Sequence, residues 1–328
     1  MLNGAIRNTK TLSLDELISN VQKRDRRSIA RAITVIENDY AETADMLRKL
    51  AKSQGQAYRV GITGPPGAGK STLTSELTKK LRALGKTVAV IAVDPTSPFT
   101  GGALLGDRIR MQDISMDPGV YVRSMATRGS LGGLSAKAKD AADVLDAAGF
   151  DYILFETVGV GQSELDIAKA ADTTIVVLVP ESGDAVQAMK SGLMEIADFF
   201  IMNKADREGA DQAVAALKTI LTFRVTHAED EWIPNVVKTV ASKAEGLDKV
   251  IEEIERHHAH LVKVGEFERR RIGRERERVH ELVEAMLRVD FWSDKRQSEL
   301  ESRLGKVMSR ETTSYDIAHQ MIEEFHHR

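Results

Sequence analysis

The sequence lacks cysteine and has few aromatic residues, and these shortages exclude several kinds of chemistry. Among 328 residues there are no cysteines and 7 prolines, and aromatic residues make up 5%. Without cysteine the chain has no disulfide, no thiolate metal site and no cysteine nucleophile. There is also no apolar run of about 18 residues and no apolar segment behind a basic N-terminus. We therefore expect neither a membrane span nor a secretory signal.

Positive charge is also not in excess. The formal net charge is −3 at pH 7, and 42% of the residues are hydrophobic, which is ample for a core. Such a chain generates no field that would gather nucleic acid, and no long basic block is present. We expect a cytoplasmic protein with no nucleic-acid partner and no membrane partner.

What the sequence does contain is a glycine-rich stretch with the spacing G-x-x-x-x-G-K-S. An apolar segment, Tyr58 to Thr63, precedes it, and leucines at helical spacing follow it. Glycines let consecutive backbone N–H groups approach phosphate oxygens, and the helix N-terminus adds partial positive charge. Lys70 would reach the β- and γ-phosphates, and Ser71 would ligate Mg²⁺. The predicted phosphate-binding residues are Gly64, Pro65, Pro66, Gly67, Ala68, Gly69, Lys70, Ser71 and Thr72.

Apolar strands alternate with helices through the middle of the chain, which predicts an α/β fold of the P-loop NTPase type. Its central sheet should be mostly parallel and flanked by helices. The predicted strands are 58–63, 87–93, 120–123, 152–157, 174–179, 199–202 and 236–240. Around this domain, residues 56–262, we expect an N-terminal helical extension, 1–55, and a C-terminal helical arm, 263–328. The extension should begin with a capping box at Ser13 and Glu16.

Two carboxylates stand at predicted strand ends, where a parallel sheet delivers its ligands. Glu156 ends the strand at 152–157 and would hold Mg²⁺ through its waters. Asp94 follows the strand at 87–93 and could position the attacking water or a metal-bound water. Both are therefore candidates for catalysis and for the metal site.

Three further residues near these strand ends are candidates with open alternatives. The N–H of Gly159, in Glu-x-x-Gly, could bind the γ-phosphate. Gln162 could orient water, although a helix-capping or surface role is the more common reading of such a residue. Asp107 lies in a segment that suits a nucleotide-dependent switch and could be a metal ligand, or could cap a helix.

A four-residue motif predicts which base the bound nucleotide carries: it is Asn203-Lys204-Ala205-Asp206. The carboxylate of Asp206 can accept hydrogen bonds from both N1–H and the 2-amino group of guanine, and adenine offers neither donor. Asn203 would bond purine N7 and brace the loops, while the Lys204 stem would cover the base. The stretch Ala241-Ser242-Lys243 then resembles a loop whose backbone N–H contacts guanine O6.

The remaining motifs leave alternatives open. Histidines 257, 258 and 260 are expected to be solvated rather than to hold a metal. The segment from Glu181 to Lys190 is a further switch or simply a helix start. Apolar stripes beyond residue 263 must be buried, either against their own chain or in a dimer.

Taken together, the motifs resemble those of the MeaB/ArgK family of P-loop GTPases, chaperones of adenosylcobalamin-dependent methylmalonyl-CoA mutase. The resemblance rests on residues 64–72, Val93 to Pro98, Glu156 to Glu164 and Asn203 to Asp206. It implies GTP hydrolysis to GDP with Mg²⁺ and a homodimer formed through the C-terminal arm. It also implies a mutase partner whose cofactor loading and protection are gated by the nucleotide, with Glu181 to Lys190 as a signalling switch.

Other functions remain open at this point. A small-molecule kinase would use the same nucleotide site but needs an acceptor pocket. A scaffold that binds nucleotide without turnover would tolerate changes at the catalytic positions. A metallocentre-insertion GTPase is disfavoured because the chain has no cysteine and no histidine-rich N-terminal tract.

Overall fold

The computed structural model describes residues 12–38, 42–53, 57–94, 111–126, 136–157, 163–181, 192–222 and 231–326. The chain divides into two units, Met1–Arg270 and Arg271–Arg328.

Seven strands form one sheet in the first unit. They are β1 Tyr58–Thr63, β2 Val88–Asp94, β3 Val120–Ala126, β4 Tyr152–Thr157, β5 Thr173–Leu178, β6 Phe199–Met202 and β7 Val236–Lys238. Their order is β3-β2-β4-β1-β5-β6-β7, and each pairing of neighbours is parallel. The predicted α/β fold is confirmed, and β1 lies at the centre of the sheet.

Helices precede, connect and follow these strands. In chain order they are α1 Leu14–Gln22, α2 Arg26–Glu37, α3 Thr43–Leu50, α4 Lys70–Ala83, α5 Gln112–Ser115, α6 Ala136–Ala147, α7 Ser163–Ala170, α8 Leu193–Ile196, α9 Ala210–Thr222, α10 Leu247–Lys263, α11 Glu266–Phe291, α12 Asp294–Met308 and α13 Ser314–His326. Short 3-10 turns lie at Ala51–Ser53 and Ala241–Lys243. None of the helices described is both long and apolar enough to cross a membrane.

Alternating strand residues build cores on both faces of the sheet. On β2, Val88 and Val90 pack with α4 and α10, whereas Ala89, Ile91 and Val93 belong to the core on the opposite face. The same alternation separates the two faces of β5 and β6. Burial on both faces explains why these strands are almost continuously apolar in sequence.

The N-terminal helices α1 to α3 belong to the first unit. The capping box predicted at Ser13 and Glu16 is present, with each side chain bonded to the backbone of the other residue. Helix α2 packs against α6, and its residues Ile29, Ile33 and Ile36 are fully buried in the core on that face of the sheet. Arg26 donates from its guanidinium to three carbonyls around the start of β3, which fastens α2 to this edge.

One histidine differs from expectation. His257 is fully buried, so the prediction that it is solvated is wrong. It lies on the face of α10 that packs on the sheet, with Val250, Ile254 and Leu261. Its Nδ1 is 2.7 Å from Thr173 Oγ1 and its Nε2 is 3.2 Å from Asp198 Oδ1.

The two neighbouring histidines lie against aromatic rings. His258 and His260 contact the rings of Tyr58 and Trp232 respectively. Within the described ranges, no three His, Asp or Glu side chains are grouped to hold a metal ion. The buried His257 side chain instead connects the amino ends of β5 and β6 to α10.

The second unit contains most of α11 together with α12 and α13. An apolar groove of about 670 Å³ runs between these helices. It is lined by Leu287, Phe291, Leu304, Ile317, Met321 and Phe325, among others. Further along α11, the apolar side chains of Val279, Val283 and Met286 are about half exposed or more. This unit therefore leaves much apolar surface uncovered by its own residues.

Gly61 generates a prediction for the packing of α7 on β1. A Cβ at this position would lie 2.9 Å from Ile167 Cγ1 and 3.1 Å from the Cβ of Ala171. Gly61→Ala should lower the free energy of unfolding by about 1–3 kcal/mol, because overpacking forces this helix outwards. The measurement is urea unfolding followed by circular dichroism.

A control for that variant is Gly305→Ala in α12, where an added Cβ meets nothing within 4 Å. We expect it to leave stability unchanged or raise it by up to about 1 kcal/mol through helix propensity. Equal stability of Gly61→Ala and the parent chain would contradict the packing described here.

Candidate functional site

The predicted site residues gather at the carboxyl edge of the sheet. The glycine-rich loop leaves β1 at Gly64, Glu156 lies near the end of β4, and Asn203 directly follows β6. The neighbouring strands place Glu156 beside Ile62 of β1 and Ala92 of β2. Because the strands are parallel, residues distant in sequence reach the same edge.

The loop after β1 is held very close to β5. Gly64 has φ +137°, and a Cβ there would lie 2.2 Å from the carbonyl oxygen of Val177, so only glycine fits. Lys70 begins α4 and is 5% exposed. Its Nζ donates to the carbonyl oxygens of Gly64 at 2.7 Å and Pro65 at 2.9 Å. The lysine ammonium is thus held inside the turn of the glycine loop.

Next to this lysine, Ser71 Oγ donates to Glu156 Oε1 at 2.5 Å. Glu156 is 3% exposed and Ser71 is half-buried, so the contact is partly shielded from solvent. Thr63 and Thr157, the last residues of β1 and β4, are also buried, and their hydroxyl oxygens are 3.0 Å apart. A hydroxyl and a carboxylate therefore meet where the glycine loop passes the end of β4.

Asn203 ties three loops together through its side-chain amide. Its Nδ2 donates to the carbonyl oxygen of Ala68 at 2.8 Å, and its Oδ1 accepts from Thr239 Oγ1 and from the N–H of Ala241, both at 3.1 Å. The residue is 2% exposed. Gly69 leaves room for it, since a Cβ there would lie 2.5 Å from Asn203 Nδ2. The loops after β1, β6 and β7 are thereby held in one arrangement.

Asp206 lies further along the same loop and is accessible. Its side chain is 42% exposed, and its Oδ2 accepts a hydrogen bond from Lys243 Nζ at 3.0 Å. This hydrogen bond lowers the pKa of the Asp206 carboxyl below its usual value and raises the pKa of Lys243. Lys204 adopts the left-handed region at φ +55°, which turns the chain between Asn203 and Asp206.

For several predicted site residues the structure describes only the backbone or no part of the residue. Asp94 ends β2, so its backbone reaches the same edge. Asp107, Gly159 and Gln162, like residues 182–190 of the predicted signalling switch, lie outside the described residues. Thr72 is exposed on the first turn of α4. The predicted roles of these residues stay predictions.

Sequence reasoning missed Thr239. This residue was assigned to a strand ending at 240, but β7 ends at Lys238 and Thr239 is buried with its hydroxyl on Asn203. The available signal in the sequence was the hydroxyl of Thr239, because a hydroxyl that becomes buried needs a hydrogen-bond partner. This signal does not identify which residue the partner is.

A glycine loop on the central strand of a parallel sheet, with an Asn-Lys-x-Asp loop two strands away, is the arrangement of P-loop GTPases. Comparison with known proteins narrows the class. The family model described as "Methylmalonyl Co-A mutase-associated GTPase MeaB" matches residues 29–296. The chain therefore belongs to the MeaB family of GTPases.

Individual relatives agree with this assignment. A "Putative GTPase" from Pyrococcus abyssi is 48% identical over 312 residues, which cover 95% of this chain and 96% of the relative. "GTPase ArgK" of Escherichia coli is 36% identical over 73% of this chain and 74% of its own length. A crystal structure described as "LAO/AO transport system kinase" aligns with TM-score 0.74 and 25% identity, covering 96% of this chain and 100% of that one.

The amide of Asn203 generates a prediction for this site. Asn203→Ala should lower the free energy of unfolding by about 2 kcal/mol or more, because it leaves buried partners such as the Thr239 hydroxyl and the Ala241 N–H without hydrogen bonds. Urea unfolding of the purified protein measures this loss. Asn38→Ala is the control, since Asn38 is exposed and its side-chain amide donates to the Thr34 carbonyl in the helix that precedes it. A loss no larger than that of the control would show that Asn203 does not brace the loops.

Proposed function

We propose that this chain binds GTP and hydrolyses it with Mg²⁺ to GDP and phosphate. We further propose that this cycle gates cofactor loading and protection of adenosylcobalamin-dependent methylmalonyl-CoA mutase. The observation that carries the nucleotide assignment is the Asn203 amide, which joins the glycine loop to the Asn-Lys-x-Asp loop. A ligand that spans both loops needs phosphates at one end and a purine at the other.

Recognition of the base would fall to the accessible carboxylate of Asp206. It can accept from both N1–H and the 2-amino group of guanine, and adenine would leave this charged acceptor unpaired. One hydrogen of the Asn203 amide is used on Ala68, and the other suits purine N7. In the turn at Ala241–Lys243, the N–H of Ala241 is bonded to Asn203 and that of Lys243 to Val240. We therefore assign the N–H of Ser242 to guanine O6, with the Lys204 stem covering the base.

Phosphate binding would use the glycine loop. The Lys70 ammonium is already held within that loop, where it would neutralise the β- and γ-phosphates. We propose Glu156 and Asp94 as the carboxylates that act on the attacking water, since both belong to strands that end at this edge. Gln162 and the N–H of Gly159 are proposed to contact the water and the γ-phosphate.

The residues at this edge also fit a magnesium ion. The Ser71 hydroxyl and the Glu156 carboxylate lie together, and both are oxygen ligands of the kind that Mg²⁺ prefers. When bound, Mg²⁺ would neutralise the negative charge that develops on the phosphate oxygens. We propose Ser71 as a direct ligand, with Glu156, Asp94 and Asp107 acting on the waters of the ion.

The partner assignment rests on the family. The matching family model is described by its association with methylmalonyl-CoA mutase, and a mouse relative described as "Methylmalonic aciduria type A homolog, mitochondrial" is 33% identical over 79% of this chain. We propose a cytoplasmic homodimer whose nucleotide state is signalled to the mutase through residues 181–190. The exposed apolar side chains of α11 and the groove between α11, α12 and α13 support burial of this unit in a dimer.

Two substitutions test the nucleotide assignment. Lys70→Ala should abolish phosphate release from GTP, because no cation would remain in the glycine loop. Asp206→Asn should shift preference from GTP towards xanthosine triphosphate, in which the 2-amino group is replaced by an oxygen. Phosphate release with each nucleotide, with and without Mg²⁺, measures both effects.

The control for the base assignment is Asp211→Asn on α9, because Asp211 is an exposed carboxylate paired with Lys238. It should retain the guanine preference of the parent chain, which we expect to be about 10⁴-fold over adenine. Unchanged turnover in Lys70→Ala, or unchanged guanine preference in Asp206→Asn, would refute the corresponding role.

Light scattering tests the dimer. We expect twice the chain mass of 36.1 kDa, and we expect Val279→Glu with Met286→Glu to yield the single mass, because charge would enter an apolar interface. Met116→Glu is the control, at an exposed methionine in the first unit.

Size-exclusion chromatography of the chain mixed with methylmalonyl-CoA mutase, in the presence of GDP or of a non-hydrolysable GTP analogue, tests the partner. Failure to co-elute with either nucleotide would sink the mutase proposal.

A further inference from the structure

An ion pair joins the two loops that would read the base. Lys243 Nζ donates to Asp206 Oδ2 at 3.0 Å, and the two residues are 37 positions apart in the chain. The side chains are 55% and 42% exposed, so both are reachable from solvent. Exposed pairs of this kind add little to folding stability, because water screens them and ordering two side chains is costly. We therefore consider how the pair affects ligand binding, when a base covers the Asp206 carboxylate.

The backbone on both sides of this pair is fixed. The N–H of Ala205 donates to the carbonyl oxygen of Thr239 at 3.0 Å, and the N–H of Lys243 donates to that of Val240 at 2.9 Å. Asn203 and Ala241 add the hydrogen bond between the two loops already described. With the loops held in this way, the contact between Lys243 Nζ and Asp206 Oδ2 constrains the orientation of the carboxylate.

Covering the carboxylate with a base changes the energetics of the pair. Water that solvates Asp206 would be displaced, and a carboxylate that loses water is costly unless its charge is paired. The Lys243 ammonium can remain on Oδ2, because a carboxylate oxygen accepts more than one hydrogen bond. The hydrogen bond from Lys243 also lowers the pKa of the Asp206 carboxyl, which shows that the pair favours its charged form.

We propose that Lys243 is a specificity-determining positioning residue, whose ammonium stays on Asp206 when guanine binds and holds the carboxylate in the orientation that accepts both guanine donors. This inference rests on the proposed binding of guanine nucleotides. Lys243 then acts through Asp206 rather than on the phosphates. Its contribution is larger for guanine, which offers two donors, than for hypoxanthine, which lacks the 2-amino group.

The chain contains a matched pair for comparison. Lys238 Nζ lies 2.7 Å from Asp211 Oδ1, with side chains that are 51% and 87% exposed. These residues belong to β7 and α9, so they come from the same region of the fold but not from the two base-reading loops. A change at Lys238 removes the same charge from a lysine–aspartate pair outside the proposed site.

The test measures dissociation constants for GDP and for inosine diphosphate by calorimetry. Lys243→Gln should weaken GDP binding about tenfold, the effect expected for losing one hydrogen bond to a charged group. It should weaken inosine diphosphate binding less, about threefold, because only one donor contacts the carboxylate. Lys243→Arg should restore most of the affinity, and Lys238→Gln should bind both nucleotides as the parent does.

A double substitution separates positioning from general attraction. If Lys243 acts through Asp206, Lys243→Gln should have little further effect on GDP affinity once Asp206→Asn is present. An equal loss in both backgrounds would instead mean that Lys243 attracts the nucleotide directly, and would overturn the inference. Unchanged or tighter GDP binding by Lys243→Gln would also overturn it, the latter because the lysine would be a competitor of the base.

These outcomes are distinct from failure of the proposed function. A parent chain that binds GDP and loses affinity on Asp206→Asn, but not on Lys243→Gln, refutes only the role of Lys243. A parent chain that does not bind GDP, or an Asp206→Asn variant with unchanged affinity, refutes guanine recognition and this inference together.

Discussion

The Asn203 amide is the interaction on which the site depends. Both of its ends are used, because Nδ2 donates to Ala68 while Oδ1 accepts from Thr239 and Ala241. A buried amide is costly to leave unpaired, so the three loops it joins are held together wherever the rest of the sheet is intact. In the proposed function, base and phosphates would therefore be recognised by one connected structure rather than by independent loops.

The two ends of this structure differ in environment. At the proposed phosphate end, Ser71 and Glu156 meet in a partly buried contact, and Lys70 is enclosed by the carbonyls of its own loop. At the base end, Asp206 and Lys243 are open to water. Electrostatic interactions are stronger where water is excluded, which supports the proposal that chemistry takes place at the more buried end and selection among ligands at the exposed end.

Much of the sheet could be predicted because two-sided burial leaves a strong pattern. Strands β1, β4 and β6 have the predicted bounds, and β5 is displaced by a single residue. Strand β7 was predicted too long, because the chain leaves the strand at Thr239, whose hydroxyl donates to Asn203. This is a tertiary contact that the local sequence does not show. His257 was placed in solvent because a run of histidines looks polar, although its helical position is apolar. The sequence placed Ser71 with Glu156 at one metal site and Lys243 with Asp206 at one base site, but no local pattern encodes the direct hydrogen bonds between these distant residues.

The central place of β1 has a consequence for how the protein is made. This apolar strand is synthesised before all the others, yet its neighbours are β4 and β5, which begin at Tyr152 and Thr173. The ribosome therefore releases the glycine loop long before any strand can pair beside it, and such non-local pairing is slow and exposes apolar surface meanwhile. The turn at Ala241–Lys243 emerges later still. A nucleotide can therefore bind and stabilise only a nearly complete chain, and it cannot guide the early steps of folding.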